Sequence, residues 1–409
     1  MPDYHKNFFS ANNRMLKIAG LWWLFNKDPK TKLFHYIIMG FYFISCQLFR
    51  TYHNIFDIWI VYGDLQRLLD HLGMAMSHIL MNLKYIVILY YRNKVIKVME
   101  ELKTEGYDYE SIADYNPYQI SVNQKKIAIR GILAFFTTVC SVPLVGTITS
   151  VTLLTIQENV TCVEILPDPT RVPLRMESYF DCCVAIIFQG TPVLMFGWQI
   201  VAIDNLYVVI LVCLESHILI VNGAFETIRT RALRKLNLTE NNLENNKHSL
   251  DRLMEHEMKR LSKHLQLIIR LFEQIEEIFN IIVLMQVVVM MALGVCSLYM
   301  MSSLNIISGA FLHQLLYFMA VSIQVTLYCW IGNEITLTGA TVPLAIYKSD
   351  WISATSSFRK GMLINMARMQ RNLCITIGKF SPLTLATLVA IFRGSYSYFA
   401  VLRNQKMRE

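Results

Sequence analysis

The strongest constraint on the fold is a stretch of 56 residues, Ile278–Asn333, that contains no aspartate, glutamate, lysine or arginine. A helix needs about 20 apolar residues to cross the hydrocarbon core of a bilayer. The stretch is long enough for two crossings, and the small and polar residues from Ser302 to Gly309 predict the turn of a helical hairpin. Composition agrees, because hydrophobic residues make up 54% of the chain and charged residues only 17%. The chain is therefore an integral membrane protein.

Seven segments are long and apolar enough to span a bilayer. They are Leu33–Tyr52, Leu68–Tyr91, Ile127–Ile156, Val184–Val221, Ile278–Met301, Leu312–Gly332 and Phe380–Leu402. The sequence therefore predicts an all-α polytopic membrane protein with seven transmembrane helices.

Lysine and arginine residues predict the orientation. One side of the predicted bundle carries 1–32, 92–126, 222–278 and 334–379, with six, six, ten and six of these cations. The other side carries 53–66, 157–183, 302–311 and 403–409, with none, two, none and three. Since these cations concentrate on the cytoplasmic side, we predict a cytoplasmic N-terminus and an extracellular C-terminus. A receptor coupled to G proteins, whose N-terminus is extracellular, has the opposite orientation.

This topology divides the chain into successive regions. They are a cytoplasmic N-terminal segment (1–32), helices one to four (33–221) with an outer loop (157–183), a cytoplasmic loop and helical assembly region (222–277), helices five and six (278–332), a cytoplasmic helical segment (333–379), the last helix (380–402) and an extracellular tail (403–409). The cytoplasmic helices are expected to form a collar under the membrane helices.

Two apolar stripes lie in the predicted cytoplasmic regions. The first stripe consists of Met254, Met258, Leu261, Leu265, Ile268, Phe272, Ile275 and Phe279, spaced by four and three. It indicates a helix that packs on its own subunit or joins subunits in a bundle. The second stripe consists of Met362, Met366, Met369, Leu373 and Ile377. We predict that it forms a helix packed beside the first.

The outer loop holds two candidate covalent sites. Asn159 begins an Asn-Val-Thr acceptor for N-glycosylation on the extracellular side. Cys162 is a candidate disulfide partner of Cys182 or Cys183, and the sequence leaves that choice open.

Two charged residues fall inside predicted spans, Lys84 in the second and Asp204 in the fourth. Intramembrane charges mark functional sites by default, but a mutual structural pair or a position near the cytoplasmic surface accounts for them equally well. The sequence contains no phosphate-binding loop or complete zinc-protease motif. It therefore indicates no enzyme, cofactor or metal site. The net charge of +8 follows from the cytoplasmic bias and requires no nucleic acid.

The last span carries polar residues along one helical stripe. Its members are Thr384, Thr387, Ile391, Ser395, Tyr398, Val401 and Gln405. A polar stripe beside apolar faces is typical of a helix with lipid on one side and water on the other. A helix-packing face is the alternative, because small and hydroxyl residues also line transmembrane helix contacts.

Residues 328–402 carry two groups of motifs. The first group is YCWIGNE at 328–334, AIYK at 345–348 and Trp351, and the second is GKF at 378–380, FRGSYSYF at 392–399 and Leu402. Together they resemble the C-terminal signature of insect odorant receptors. Chain length, seven spans and orientation agree with that family.

The resemblance implies a ligand-gated, non-selective cation channel, a heterotetramer with the family's shared coreceptor, in the plasma membrane of olfactory sensory neurons. At 409 residues the chain resembles an odorant-specific subunit rather than the longer coreceptor. The implied pore residues are Ile391, Ser395, Tyr398, Val401 and Gln405. Val401 is the implied gate. Gln405 departs from the apolar residue usual in the coreceptor.

The resemblance also implies a ligand pocket in the outer half of the bundle. Its implied lining residues are Leu72, Met76, Phe136, Cys140, Phe188, Met195 and Tyr317. They suit a small volatile odorant held by shape and dispersion, although each position also suits plain core packing. Membrane lipid and permeating cations are the other expected partners. A secondary transporter or another seven-helix chemoreceptor, such as a gustatory receptor, is the alternative.

Overall fold

A computed structural model gives the fold. It describes residues 8–19, 49–60, 65–103, 108–112, 115–156, 178–238 and 243–406, with the single positions 21, 33, 37, 40, 63 and 166. Within these residues the helices are α1 (Ser10–Ile18), α2 (Phe49–Ile60), α3 (Leu65–Tyr90), α4 (Arg92–Leu102), α5 (Pro117–Ile156), α6 (Tyr179–Glu226), α7 (Ile228–Lys235), α8 (Leu243–Ser303), α9 (Gly309–Ala340), α10 (Val342–Tyr347), α11 (Ser356–Met369) and α12 (Leu385–Lys406). Two short strands, β1 (Thr376–Ile377) and β2 (Ser381–Pro382), precede α12.

The prediction of an all-α polytopic membrane protein is confirmed. Six helices of the described chain are long and apolar enough to cross a membrane: Leu68–Tyr90, Pro117–Ile156, Tyr179–Glu226, Asn246–Ser303, Gly309–Tyr347 and Leu385–Gln405. They correspond to predicted spans two to seven. Most of the first predicted span, Leu33–Tyr52, lies outside the described residues.

Helix α6 lies at the centre of the bundle. Every residue from Val201 to Ile218 is buried, as expected for a helix that is apolar on all sides. A capping box begins α6: the backbone N–H of Asp181 donates to Ser178 Oγ, and that of Ser178 donates to Asp181 Oδ2. The helix has 48 residues, about 70 Å in length, so it extends well beyond a hydrocarbon core of about 30 Å.

Helix α8 is longer still, with 61 residues. All eight members of the first stripe lie on it and are buried within this one chain. The stripe therefore packs on its own subunit. Helix α11 packs beside it, and the Asn365 amide nitrogen donates to Ser262 Oγ at 2.7 Å.

The second stripe is only partly helical, which corrects the prediction. Helix α11 ends at Met369, and the chain then runs extended into β1. Leu373, Ile375 and Ile377 are buried at alternate positions, the period of a strand rather than of a helix. The spacing of four from Met369 to Leu373 to Ile377 fits both periods, so the sequence pattern does not distinguish a helix from a strand here.

The last helix begins later than predicted, at Leu385 rather than Phe380. A small antiparallel hairpin precedes it, in which Thr376 pairs with Pro382 and Ile377 with Ser381. The hairpin turns at Gly378 and Lys379, which have positive φ values of 59° and 66°. Thr384 then caps the helix, since its Oγ lies 3.5 Å from the backbone nitrogen of Thr387.

Candidate functional site

An apolar cavity of about 100 Å³ lies between the membrane helices. Its wall is formed by α3, α5, α6, α8 and α9, and apolar side chains dominate the lining. Mostly apolar clefts and cavities with a few polar groups are typical of small-molecule sites.

Two helices line the cavity with the same periodic pattern. The lining residues of α3 include Ser77, Leu80, Met81 and Lys84, and those of α9 are Tyr317, Ala320, Val321 and Gln324. Both sets occupy positions i, i+3, i+4 and i+7, which share one helical face. The cavity is therefore bounded by one continuous face of each helix.

Helices α5 and α6 form the opposite wall. Phe135, Val139, Val142 and Pro143 come from α5, and Val193, Phe196, Gly197 and Ile200 come from α6. The two helices approach closely at Gly197, where a Cβ atom would lie 2.8 Å from Val139 Cγ1. Glycine is thus required for this contact at the cavity wall.

A polar layer lies at one end of the cavity. The hydroxyl oxygens of Ser77 and Tyr317 are 2.9 Å apart, and Ser77 Oγ is 3.1 Å from the carbonyl oxygen of Gly73. This pair joins α3 to α9 and places two hydroxyl groups in an otherwise apolar wall.

A charged layer lies at the other end. Asp204 accepts a hydrogen bond from Lys84 Nζ at 2.5 Å, one from the Tyr328 hydroxyl at 2.9 Å and one from the Gln324 side-chain amide. Lys84 Nζ also lies 5.5 Å from the centre of the Tyr328 ring. Lys84 and Asp204 are each 2% exposed. The two intramembrane charges identified in the sequence therefore form one buried ion pair.

The two polar layers are held at a fixed separation. Ser77 and Lys84 are seven residues apart on α3, and Tyr317 and Gln324 are seven apart on α9, which is about 10 Å along each axis. Lys84 and Gln324 line the cavity, whereas Asp204 and Tyr328 lie behind them against a much smaller void of about 10 Å³. The charged layer is thus the floor of the cavity.

One of the seven residues implied as ligand contacts, Tyr317, lines this cavity. The structure places the other six outside its lining: Leu72, Met76, Phe136, Cys140, Phe188 and Met195. Four of them, Met76, Phe136, Cys140 and Met195, directly adjoin the lining residues Ser77, Phe135, Val139 and Phe196. A shift of one residue turns a helical side chain by about 100°. Phe136 instead stacks edge-on against Trp198, with centroids 4.8 Å apart, and Phe188 is exposed on the bundle surface.

Sequence reasoning missed Ser77, Lys84 and Gln324 as members of one site. Their spacing carried a usable signal, because polar residues seven apart on two apolar helices mark one face on each. The sequence pattern did not show that α3 packs beside α9 at the cavity.

The structure divides the polar stripe of α12. Ile391 and Ser395 are buried, and Ser395 Oγ donates to the carbonyl oxygen of Met291 on α8 at 3.1 Å. Tyr398 and Val401 are 64% and 54% exposed, and Gln405 is exposed as well. Three of the five implied pore residues, Tyr398, Val401 and Gln405, thus lie on the open surface of this chain, whereas Ile391 is buried and Ser395 packs on α8.

Helix α8 lies between the cavity and α12. Met290 and Leu293 line the cavity, while Met291 and Gly294 meet α12. A Cβ atom at Gly294 would lie 3.0 Å from Ser395 Oγ. One turn of α8 therefore contacts both the candidate site and the last helix.

The two candidate disulfide partners at the start of α6, Cys182 and Cys183, differ in oxidation state. Cys182 is disulfide-bonded and Cys183 is a free thiol. The two residues singled out in the outer loop, Asn159 and Cys162, lie outside the described residues.

Comparison with known proteins gives consistent results. The sequence model of a family described as 7tm Odorant receptor matches residues 64–396. Odorant receptor 10 of Aedes albopictus is 34% identical over 86 residues, covering 21% of this chain and 23% of that protein. Odorant receptor 85c of Drosophila melanogaster is 26% identical over 165 residues, covering 40% and 42%. The alignments thus span about a quarter of the length of the first relatives matched.

Solved structures match over nearly the whole chain. The insect olfactory receptor OR5 from Machilis hrabei in complex with eugenol superposes with a TM-score of 0.77 at 14% identity, covering 98% of this chain and 100% of that one. The same receptor without eugenol superposes with a TM-score of 0.73. At this identity the likeness establishes the shared fold.

Proposed function

Since this chain belongs to the insect odorant receptor family, we propose that it is a subunit of a ligand-gated cation channel opened by a small volatile odorant. The family comprises receptor channels rather than enzymes. The observation that carries the proposal is the apolar cavity between α3, α5, α6, α8 and α9, whose wall includes part of the helix that supports α12.

The cavity suits a volatile molecule. Its middle section, including Leu80, Met81 and Val321, offers dispersion contacts with few polar groups. Methionine side chains adapt to ligands of different shape. The relative from Machilis hrabei binds eugenol, a compound of this general kind. We expect this chain to hold its odorant in the cavity described above.

The proposed opening mechanism is a shift between two arrangements of α8 and α12. An odorant that fills the cavity contacts Met290 and Leu293, and Gly294 in the same turn of α8 packs on Ser395 of α12. A ligand that binds better when α8 is displaced shifts the population toward that arrangement. The pore is proposed to follow the exposed outer part of α12, with the gate at Val401.

Assembly is proposed as a heterotetramer with the family's coreceptor, this chain being the odorant-specific subunit. Cytoplasmic contacts are supported by α11, where Leu363 and Ile364 are 60% and 69% exposed in the single chain. Exposed apolar side chains of this kind are available to a neighbouring subunit. The N-terminus is proposed to be cytoplasmic and the C-terminus extracellular.

The deciding experiment is to express the chain in cells with and without the coreceptor and to record current while odorant panels are applied. Ligand-evoked cation current in the co-expressing cells alone supports the proposal. Surface expression without evoked current under every panel contradicts it, and substrate flux coupled to an ion gradient without unitary openings would indicate a transporter.

A further inference from the structure

The floor of the cavity has an uneven hydrogen-bonding capacity. Asp204 already accepts from Lys84, Tyr328 and Gln324. Lys84 carries three ammonium protons, but among the described residues Asp204 is the one hydrogen-bond acceptor it reaches. The ammonium nitrogen also faces the ring of Tyr328, 5.5 Å from the ring centre. The spare donors at the floor therefore belong mainly to Lys84, with two unused ammonium protons, and in smaller part to Gln324, with one amide proton; both residues line the cavity.

From this geometry we propose that the cavity selects neutral odorants that carry a hydrogen-bond-accepting oxygen, and that the Lys84 ammonium group donates to that oxygen. Carbonyl compounds such as ketones and esters are the chemical class that fits. This inference rests on the proposed role of the cavity as the odorant site.

Charged ligands are disfavoured by the same arrangement. Lys84 and Asp204 neutralise each other, so a carboxylate ligand would bring an uncompensated charge into an apolar, buried space. An ammonium ligand would face Lys84 at close range and find Asp204 already engaged by three donors. A hydrocarbon would leave the spare protons of Lys84 without an acceptor.

The apolar remainder of the ligand has a defined place. Leu80, Met81, Ala320 and Val321 lie between the charged floor and the Ser77–Tyr317 layer. The distance of about 10 Å between the two layers accommodates a ring or a short alkyl chain attached to the oxygen. The carbonyl end is therefore the end that points toward Lys84.

Isosteric pairs test this assignment directly. Acetophenone and α-methylstyrene differ by replacement of a carbonyl oxygen with a methylene group, as do 2-heptanone and 2-methyl-1-heptene. Affinities are measured from the ligand-dependent melting temperature of the purified full-length chain. A hydrogen bond to a charged group predicts that each ketone binds about tenfold to hundredfold more tightly than its hydrocarbon isostere. Benzoate and benzylamine are expected to bind more weakly than acetophenone.

The informative variant is Lys84→Met combined with Asp204→Asn. It removes the donor without leaving a buried charge, and the asparagine oxygen still accepts from Tyr328. The ketone-to-hydrocarbon affinity ratio is expected to fall below about threefold, with hydrocarbon binding retained. Leu80→Val is the matched control on the same helical face, since it trims the apolar wall and should weaken both members of a pair equally.

A ratio near one in the unaltered chain overturns the inference. So does an unchanged ratio in the double variant, a preference for benzoate or benzylamine, or a failure of both ketones to bind. Because the readout is binding, it is separate from the current recordings. A ketone preference without evoked current would reject the proposed channel and leave the chemistry of the cavity standing.

Discussion

Lys84 Nζ and Asp204 Oδ1 lie 2.5 Å apart in the middle of the helical bundle, on helices α3 and α6, with both side chains almost completely buried. The pair is 120 residues apart in the sequence. It joins the central helix to a wall of the candidate ligand cavity, so it has consequences for stability as well as for recognition.

Removing one member of this pair is expected to be far more harmful than removing both charges. Lys84→Met alone leaves Asp204 charged and buried, which costs about 3–5 kcal/mol. The double change Lys84→Met with Asp204→Asn should recover most of the loss. Melting temperature and surface expression are measured for the unaltered chain, the single variant and the double variant. A single variant as stable as the double variant would contradict this view of the pair.

Gly294 is expected to control how a displacement of α8 by a bound odorant reaches α12. Gly294→Ala places a methyl group about 3 Å from Ser395 and should alter evoked current while leaving odorant affinity within about threefold. Gly190→Ala is the matched control, because its added methyl meets Thr147 Oγ1 at 3.3 Å, between α6 and α5 and away from α8. Current and ligand-dependent melting are measured for both. Equal effects of the two substitutions would argue against a special role for the α8–α12 contact.

The proposed gate can be tested at Val401. Val401→Ala shortens an exposed apolar side chain on the outer part of α12, so basal or evoked conductance is expected to rise. Recording from cells that co-express the coreceptor measures the change. Leu385→Ala, at the other end of α12 and 40% exposed, serves as the comparison. Currents indistinguishable from those of the unaltered chain would move the gate elsewhere.

Two ion pairs that α8 forms with α7 and with α4 offer a contrast between buried and exposed pairs. Arg231 Nη1 lies 3.0 Å from Glu257 Oε2, with both side chains at most 2% exposed. Glu257→Ala leaves Arg231 buried without this partner and should destabilise the protein by about 3–5 kcal/mol. Lys94→Ala breaks a pair with Glu277 whose members are 49% and 54% exposed, and it should cost no more than about 1 kcal/mol.

The decrease in melting temperature is measured for Glu257→Ala and for Lys94→Ala, and the two decreases are compared. Similar losses in the two variants would show that burial of the Arg231–Glu257 pair does not determine its contribution.

Orientation has a simple assay. An epitope tag placed after Glu409 should be stained by antibody on intact cells, and a tag before Met1 only after permeabilisation. The expectation follows from the excess of lysine and arginine in the predicted cytoplasmic stretches. The reverse staining pattern would remove the basis for an extracellular gate at Val401.

The sequence alone determined the class of the fold, because that class depends on quantities that are additive along the chain. The uncharged stretch Ile278–Asn333 required membrane helices, and the cation counts predicted their orientation, however the helices pack. The motif at 328–334 pointed to the family, and the family comparison agrees.

The tertiary structure decided what those helices bring together. Lys84 and Asp204 were visible as isolated intramembrane charges, but their pairing depends on the contact between α3 and α6. The lining of the cavity likewise depends on the rotation of each helix: Ser77 and Phe135 line it, whereas the adjacent Met76 and Phe136, expected from the sequence as ligand contacts, do not. Hydrophobic periodicity fixes a helical face only loosely when a helix is apolar nearly all round, since lipid and core then select the same residues. Packing between helices decides which face of each helix points into the bundle. The periodicity of a single segment carries no information about that packing.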